Sequence, residues 1–192
     1  MTNESPTVTA NPLTPNPLTR IVLTGSESVG KTTLAVQLAA HYGVQAVPEF
    51  VRDYAATLNR ALDFRDHGPI AHGQMALEDT CIARATTRGH FLLLHDTDLV
   101  STVVYCHHYF GRCPAFIEEA ATARRAHHYL LLDIDVPWVP DGVRDREERR
   151  AEVQQLFVDT LGQLGALFTV VRGDWDTRRT NAQRIIDAVR ST

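Results

Sequence analysis

Short apolar runs separated by longer stretches of mixed polarity set the rhythm of this chain. Strand-like runs fall at residues 20–24, 44–48, 91–96, 129–133 and 168–172. Between them, apolar residues recur at three- and four-residue spacing. This predicts helices at about 31–42, 50–61, 69–88, 97–109, 114–126, 147–164 and 178–190. A run such as Phe91-Leu92-Leu93-Leu94 has no polar alternation, so both of its faces should be buried, as in a parallel sheet. Strands alternating with helices call for right-handed crossovers. The expected α/β architecture has three layers, with about five parallel strands and helices on both faces. Residues 1–17, with four prolines and little to bury, read as a disordered tail, which leaves 18–192 as a single domain. In such a sheet, ligands gather at the carboxyl ends of the strands. Here those ends carry Thr24-Gly25, Glu49, Asp96, Asp133 or Asp135, and Gly173-Asp174.

The first strand leads into Gly25-Ser26-Glu27-Ser28-Val29-Gly30-Lys31-Thr32-Thr33 and then a helical pattern at Leu34 and Leu38. A strand–loop–helix context gives this glycine spacing its meaning as a phosphate-binding loop. Glycine lets successive N–H groups turn toward phosphate oxygens, and the helix N-terminus adds partial positive charge. Lys31 can reach the terminal phosphates, and the Thr32 hydroxyl can complete a Mg²⁺ shell. These features imply a nucleoside triphosphate site and a phosphate-loop NTPase fold.

Composition narrows the partners. A formal charge of −4 and the absence of a basic stripe argue against nucleic acid. No apolar run reaches membrane-spanning length, and the N-terminus lacks a signal-peptide pattern, so a cytoplasmic protein is expected. Cys81, Cys106 and Cys113 form no disulfide framework, and Cys106-His107-His108 lacks the spacing of a zinc site.

Further candidates follow the strand ends. Asp96 is placed to hold Mg²⁺ beside the loop, although Asp96 or Thr97 could equally cap the next helix, and Asp98 could face substrate. Glu49 could accept the proton of an attacking hydroxyl while Arg52 neutralises transferring charge; the alternative is an i,i+3 ion pair at a helix start. Residues 136–150 hold turn-forming Pro137, Pro140 and Asp141-Gly142 followed by four arginines. They read either as a lid, with Arg144 and Arg146 over phosphates, or as a solvated loop. The turn Gly173-Asp174-Trp175 lies where an adenine could rest.

Together these segments resemble the nicotinamide riboside kinase domain of the NadR family, a branch of the phosphate-loop kinases, across about residues 20–190. The loop with its Glu27-Ser28 pair is similar to that family's Gly-x-Glu-Ser-x-Gly-Lys-Ser/Thr-Thr-Leu run. Glu49-Phe50-Val51-Arg52-Asp53-Tyr54 looks like its Glu-Tyr-x-Arg-Glu-Tyr segment, with Phe50 in place of a tyrosine. Asp96-Thr97-Asp98 and Trp138-Val139-Pro140-Asp141-Gly142-Val143-Arg144 match two more. No His-x-Gly-His nucleotidyltransferase motif is found in the chain.

The resemblance implies ATP- and Mg²⁺-dependent phosphorylation of the ribose 5′-hydroxyl of nicotinamide riboside. The residues expected to act are Lys31, Glu49, Arg52, Asp96 and the lid Arg144, with Thr32 and Asp96 at the metal. Glu49, Tyr54, Asp98, Tyr105 and Trp138 would surround the nucleoside, and an aromatic, acidic pocket would suit its cationic ring. The rival readings are another small nucleoside or nucleotide kinase and a regulatory NTPase without a small-molecule acceptor. Against a G-protein switch stands the absence of an Asn-Lys-x-Asp sequence.

Overall fold

The structure is a computed structural model that describes residues 18–137 and 149–191. Expectations for the tail, for most of the 136–150 segment, and for Trp138, Arg144 and Arg146 fall outside the described residues.

Five parallel strands form one sheet in the order β2-β3-β1-β4-β5. In chain order the elements are β1 (Thr19–Thr24), α1 (Lys31–Tyr42), β2 (Ala46–Val47), α2 (Phe50–Ala56), a 3-10 turn (Phe64–Asp66) and α3 (His67–Thr87). These are followed by β3 (Leu92–Asp96), α4 (Leu99–Phe110), α5 (Ala115–Ala123), β4 (His128–Leu132), α6 (Arg150–Gln163), β5 (Phe168–Val171) and α7 (Trp175–Arg190). The architecture read from the sequence is the one observed.

Each central strand supplies two faces to two cores, as the two-residue period of a strand requires. Ile21, Leu23, Leu92, Leu94, Leu130 and Leu132 point to one side, under α1 and α7. Val22, Tyr129 and Leu131 point to the other, where Val100, Val104, Val153 and Phe157 of α4 and α6 cover them. Burying one such side chain contributes about 1.5–3 kcal/mol. Smaller clusters join α3 to α4 and α5, and to β2 and β3.

Several element boundaries differ from the sequence reading, and two of them have a local cause. α2 stops at Ala56 rather than near 61, because the Thr57 hydroxyl and amide both turn back onto the Tyr54 carbonyl and close the last turn. α7 begins at Trp175 rather than 178, because the Asp174 carboxylate accepts from the Thr177 amide at 2.8 Å and caps the helix.

Candidate functional site

Strand carboxyl ends build the site. The register pairs Leu23 with Asp96 in the adjacent strand, so the exit of β1 into the phosphate loop and the last residue of β3 lie side by side. Three residues of the loop adopt positive φ: Gly25 at 129°, Ser28 at 55° and Gly30 at 84°. A Cβ on Gly25 would lie 2.7 Å from the Leu132 carbonyl oxygen, so only glycine lets the chain leave β1 here. At Gly30 the crowding comes from Trp175, whose ring would sit 2.4 Å from an added Cβ. Lys31 is buried, its Nζ donating to the carbonyls of Gly25 at 3.0 Å and Ser26 at 2.6 Å.

Distant residues hold this loop in place. Gln154 of α6 accepts from the Ser26 amide at 3.2 Å and donates to the Leu132 carbonyl at 3.0 Å. The buried guanidinium of Arg178 donates to the carbonyls of Val29, Asp133 and Gly173 and pairs with Asp135. Asp133 and Asp135 therefore brace the end of the sheet. Asp133 accepts from the Ile134 amide and Arg172, and Asp135 from Arg178 and the Gly173 amide.

Asp96 lies on the rim, with the Thr32 hydroxyl near enough to its carboxyl group to stabilise the charged form. Burial raises its pKa and neighbouring Glu49 adds to the rise, while Thr32, Lys31 and Arg52 pull it down. Those electrostatic partners place Lys31 and Glu49 on the same rim. Its Oδ1 is buried with no hydrogen-bond partner among the described residues. Glu49 is buried at the N-terminus of α2, and Arg52 Nε donates to its Oε2 at 2.8 Å. The i,i+3 ion pair is thus present, and it leaves Glu49 in the wall of a cavity.

That cavity, of about 400 Å³, extends from Glu49 between α2, α3 and α4. Tyr105, Tyr109 and Phe110 form an aromatic side, and Asp98, Thr97 and Gln74 supply polar groups. No lysine or arginine lines it among the described residues. Thr97 takes φ 69°, a left-handed conformation that a β-branched residue adopts at a cost of about 1–3 kcal/mol. Its amide bonds the Leu23 carbonyl at 3.0 Å, so the turn that presents Asp96 is fixed from β1.

Asp98, rather than Asp96 or Thr97, caps α4. Its Oδ1 accepts from the Val100 amide at 3.0 Å and its Oδ2 from the Tyr129 hydroxyl at 2.8 Å. Burial pushes its pKa up to about 7. Tyr54 does not reach the cavity. Its hydroxyl donates to Asp66 Oδ1, where Arg60 and the Asp63 amide also converge. This knot places Ala61 and Leu62 in the cavity wall. Tyr105 does line the cavity, as expected.

The sequence reading passed over several participants. Gln74 on α3 accepts from the Phe50 amide at 2.9 Å and so fixes the start of α2, next to Glu49. Tyr109, Phe110 and His67 complete the cavity, and Gln154 and Arg178 hold the loop. Tyr109 and Phe110 could have been found from their position one turn beyond Tyr105. The others carry no local signal. Cys106, Cys113 and His67 lie close to one another. The Cys113 thiol and His67 lower the Cys106 pKa to about 6.

Comparison with known proteins agrees with this geometry. A family profile described as an AAA domain matches residues 20–178. The trifunctional NAD biosynthesis/regulator protein NadR of Escherichia coli K12 is 31% identical over 165 residues, spanning 82% of this chain and 39% of that protein. Its counterpart from Salmonella typhimurium is 30% identical over the same length. The chain thus spans about two fifths of the length of these curated relatives. Among solved structures, NadR protein in complex with NR superposes with a TM-score of 0.77 at 22% identity, covering 91% of this chain and 52% of that one. Thymidylate kinase from Ehrlichia chaffeensis superposes at 0.63 and 14% identity, over 88% of this chain and 98% of that one. These structural likenesses establish the phosphate-loop NTPase fold.

Proposed function

The chain belongs to this AAA-domain family, and on that premise we propose that it transfers the γ-phosphoryl group of ATP to the 5′-hydroxyl of nicotinamide riboside, giving nicotinamide mononucleotide for NAD salvage in the cytoplasm. The observation that carries this reading is the cavity beside Asp96, aromatic on one side, with Glu49 in its wall and no cationic side chain among its described lining. A nucleotide acceptor brings its own phosphate and calls for arginine or lysine. A nucleoside with a cationic ring calls for aromatic faces and carboxylates. The structure of NadR protein in complex with NAD and AMP-PNP, 20% identical to this chain at a TM-score of 0.75, is in keeping with an ATP site in this fold.

The parts divide as follows. Backbone amides of residues 25–33 and the Lys31 ammonium hold the triphosphate. Thr32 and Asp96 suit Mg²⁺: a hydroxyl and a buried carboxylate lie near one another beside the loop, and Asp96 Oδ1 lacks a partner among the described residues. When bound, the ion would neutralise charge on the phosphates. Glu49 orients the ribose hydroxyl and takes its proton as the oxygen attacks phosphorus, with Arg52 holding the carboxylate in position. Arg144 and Trp138 belong to the same proposal, as a lid contact and a pocket wall, in a domain of residues 18–192 with a lid at about 136–150. Trp175, exposed and seated against Gly30, offers the adenine a flat apolar face.

Phosphorylation of a nucleoside panel with purified protein tests the reading. Nicotinamide riboside should have the highest kcat/KM, and clear preference for a deoxynucleoside would reject this acceptor. Glu49→Gln should lower kcat about 10²-fold or more while ATP KM stays within about twofold. Unchanged turnover would reduce Glu49 to a helix-start acid.

A further inference from the structure

The loop carries an acid that phosphate binding does not need. A carboxylate facing the triphosphate would repel it, yet Glu27 stands in the middle of the phosphate-binding run. The fold turns this side chain away from solvent, leaving it 2% exposed. Its Oε2 accepts two hydroxyl hydrogen bonds, from Ser26 Oγ at 3.0 Å and from the Tyr105 hydroxyl at 2.9 Å. Glu27 and Tyr105 are separated by 78 residues, and this bond joins the nucleotide loop to the wall of the acceptor cavity.

We propose that Glu27 is a specificity-determining residue of the acceptor pocket, acting through Tyr105 to favour a cationic aromatic ring. Two hydroxyl donors on one oxygen is the pattern an ionised, acceptor-only carboxylate takes. A phenol donating to a carboxylate gains electron density, which strengthens the negative face its ring offers to a cation. The ring is held for that task. Tyr109 stacks on it at 5.9 Å between centroids and 17° between planes, and Phe157 packs edge-on at 6.1 Å. The other cavity carboxylates are committed elsewhere. Glu49 is held by Arg52, and Asp98 caps α4 with a pKa pushed up to about 7. Glu27 itself makes no ion pair among the described residues. The Ser26 bond fixes the carboxylate from the loop side, so Tyr105 keeps one orientation as the loop is occupied.

The inference rests on the nucleoside-kinase reading, and its test separates the two. Wild-type protein, Glu27→Gln and Tyr105→Phe are assayed with nicotinamide riboside and with its dihydro form, a neutral acceptor of nearly the same shape. In both variants KM for the cationic acceptor should rise about tenfold, the order of a desolvated cation–ring contact. The ratio of cationic-acceptor KM to neutral-acceptor KM should rise about tenfold over wild type, whatever loss the two acceptors share. The double variant should be no worse than the singles, because the charge acts through the hydroxyl. Equal losses on both acceptors, additive losses, or a raised ATP KM in Glu27→Gln would overturn the assignment. If wild-type protein phosphorylates neither acceptor, the kinase reading fails. Calorimetric binding of N-methylnicotinamide cation against neutral nicotinamide then decides the Glu27 role. Preference for the cation that disappears in Glu27→Gln supports it, and preference that survives rejects it.

Discussion

On the proposed nucleotide side of the cleft the surface is backbone: one continuous loop, bent by positive φ at Gly25, Ser28 and Gly30. On the acceptor side the surface is side chain. Residues from α2, the 57–66 segment, α3 and α4 meet around a cavity. A backbone site tolerates little change, since its geometry is its chemistry, and it accepts whatever carries phosphates. A side-chain site can be retuned residue by residue, so acceptor choice should reside there. Glu27 is the exception that links them: backbone in the first site, side chain in the second.

Removing the ammonium from the nucleotide side should have the largest effect. Lys31→Ala is expected to reduce kcat at least about 10³-fold, the scale at which a preorganised charge on a transferring phosphoryl group acts. The thermal midpoint should move only a few degrees. Activity near wild type would break the division, since the loop would then not be holding the reacting phosphates.

A change on the acceptor side should leave the other half alone. Asp66 is buried, and Arg60, the Asp63 amide and Tyr54 all donate to it, which holds its carboxyl well below the usual carboxylate range, with the Arg60 hydrogen bonds the largest cause. Asp66→Ala releases the segment that places Ala61 and Leu62. Acceptor KM should rise about tenfold with ATP KM unchanged, as remote positioning losses of this kind do. A parallel rise in both would show the halves to be mechanically coupled.

How much of each half was legible follows from the same contrast. The loop, the end of β3 at Asp96 and the start of α2 at Glu49 each follow a strand, so the strand pattern made their places on one rim legible. Strand and helix periods gave the sheet because its central strands are apolar on both faces. Tyr54 shows where that approach stops. It sits two residues past Arg52 in a matching motif, yet its hydroxyl turns to Asp66, a partner set by how the chain closes at Asp63 and Arg60. Gln74, Gln154 and Arg178 are further cases, each fixed by a contact 24 or more residues distant. Nothing in their local sequence distinguishes them from surface residues.

A smaller effect probes why the loop has glycine at its last turn. Gly30→Ala places a methyl group against the Trp175 ring at a φ of 84°, and should cost about 1–3 kcal/mol in unfolding free energy. Because Trp175 is half exposed, its ring can yield. Pairing the change with Trp175→Ala should recover part of the loss and leave the backbone share. Full additivity in a denaturation cycle would show that the ring does not press on Gly30.

The smallest effect is a matter of pH, and it lies beneath the acceptor cavity. Asp98 faces Glu78, His95, Arg20, Arg124 and Tyr129 around a void of about 10 Å³, room for one water. Burial, with the Glu78 charge adding to it, raises Asp98 from the ordinary value of 3.8 to about 7. Between those pH values the folded protein holds a proton that the unfolded chain has released. The stability contribution of this group is therefore complete below about pH 4 and declines as pH rises through about 7. Glu78 is also raised by burial and acts in the same sense, whereas His95, lowered to about 3 by burial, acts in the opposite sense. The whole-protein curve mixes them, so the informative quantity is the difference between wild type and Asp98→Asn. Asparagine still caps α4 and still meets the Tyr129 hydroxyl, but it does not titrate. Denaturation from pH 4 to pH 8 should show the variant gaining on wild type as pH rises, with the gap widest at the alkaline end. Parallel curves would mean that Asp98 ionises in the folded protein as readily as in the unfolded chain, and that burial does not hold its proton.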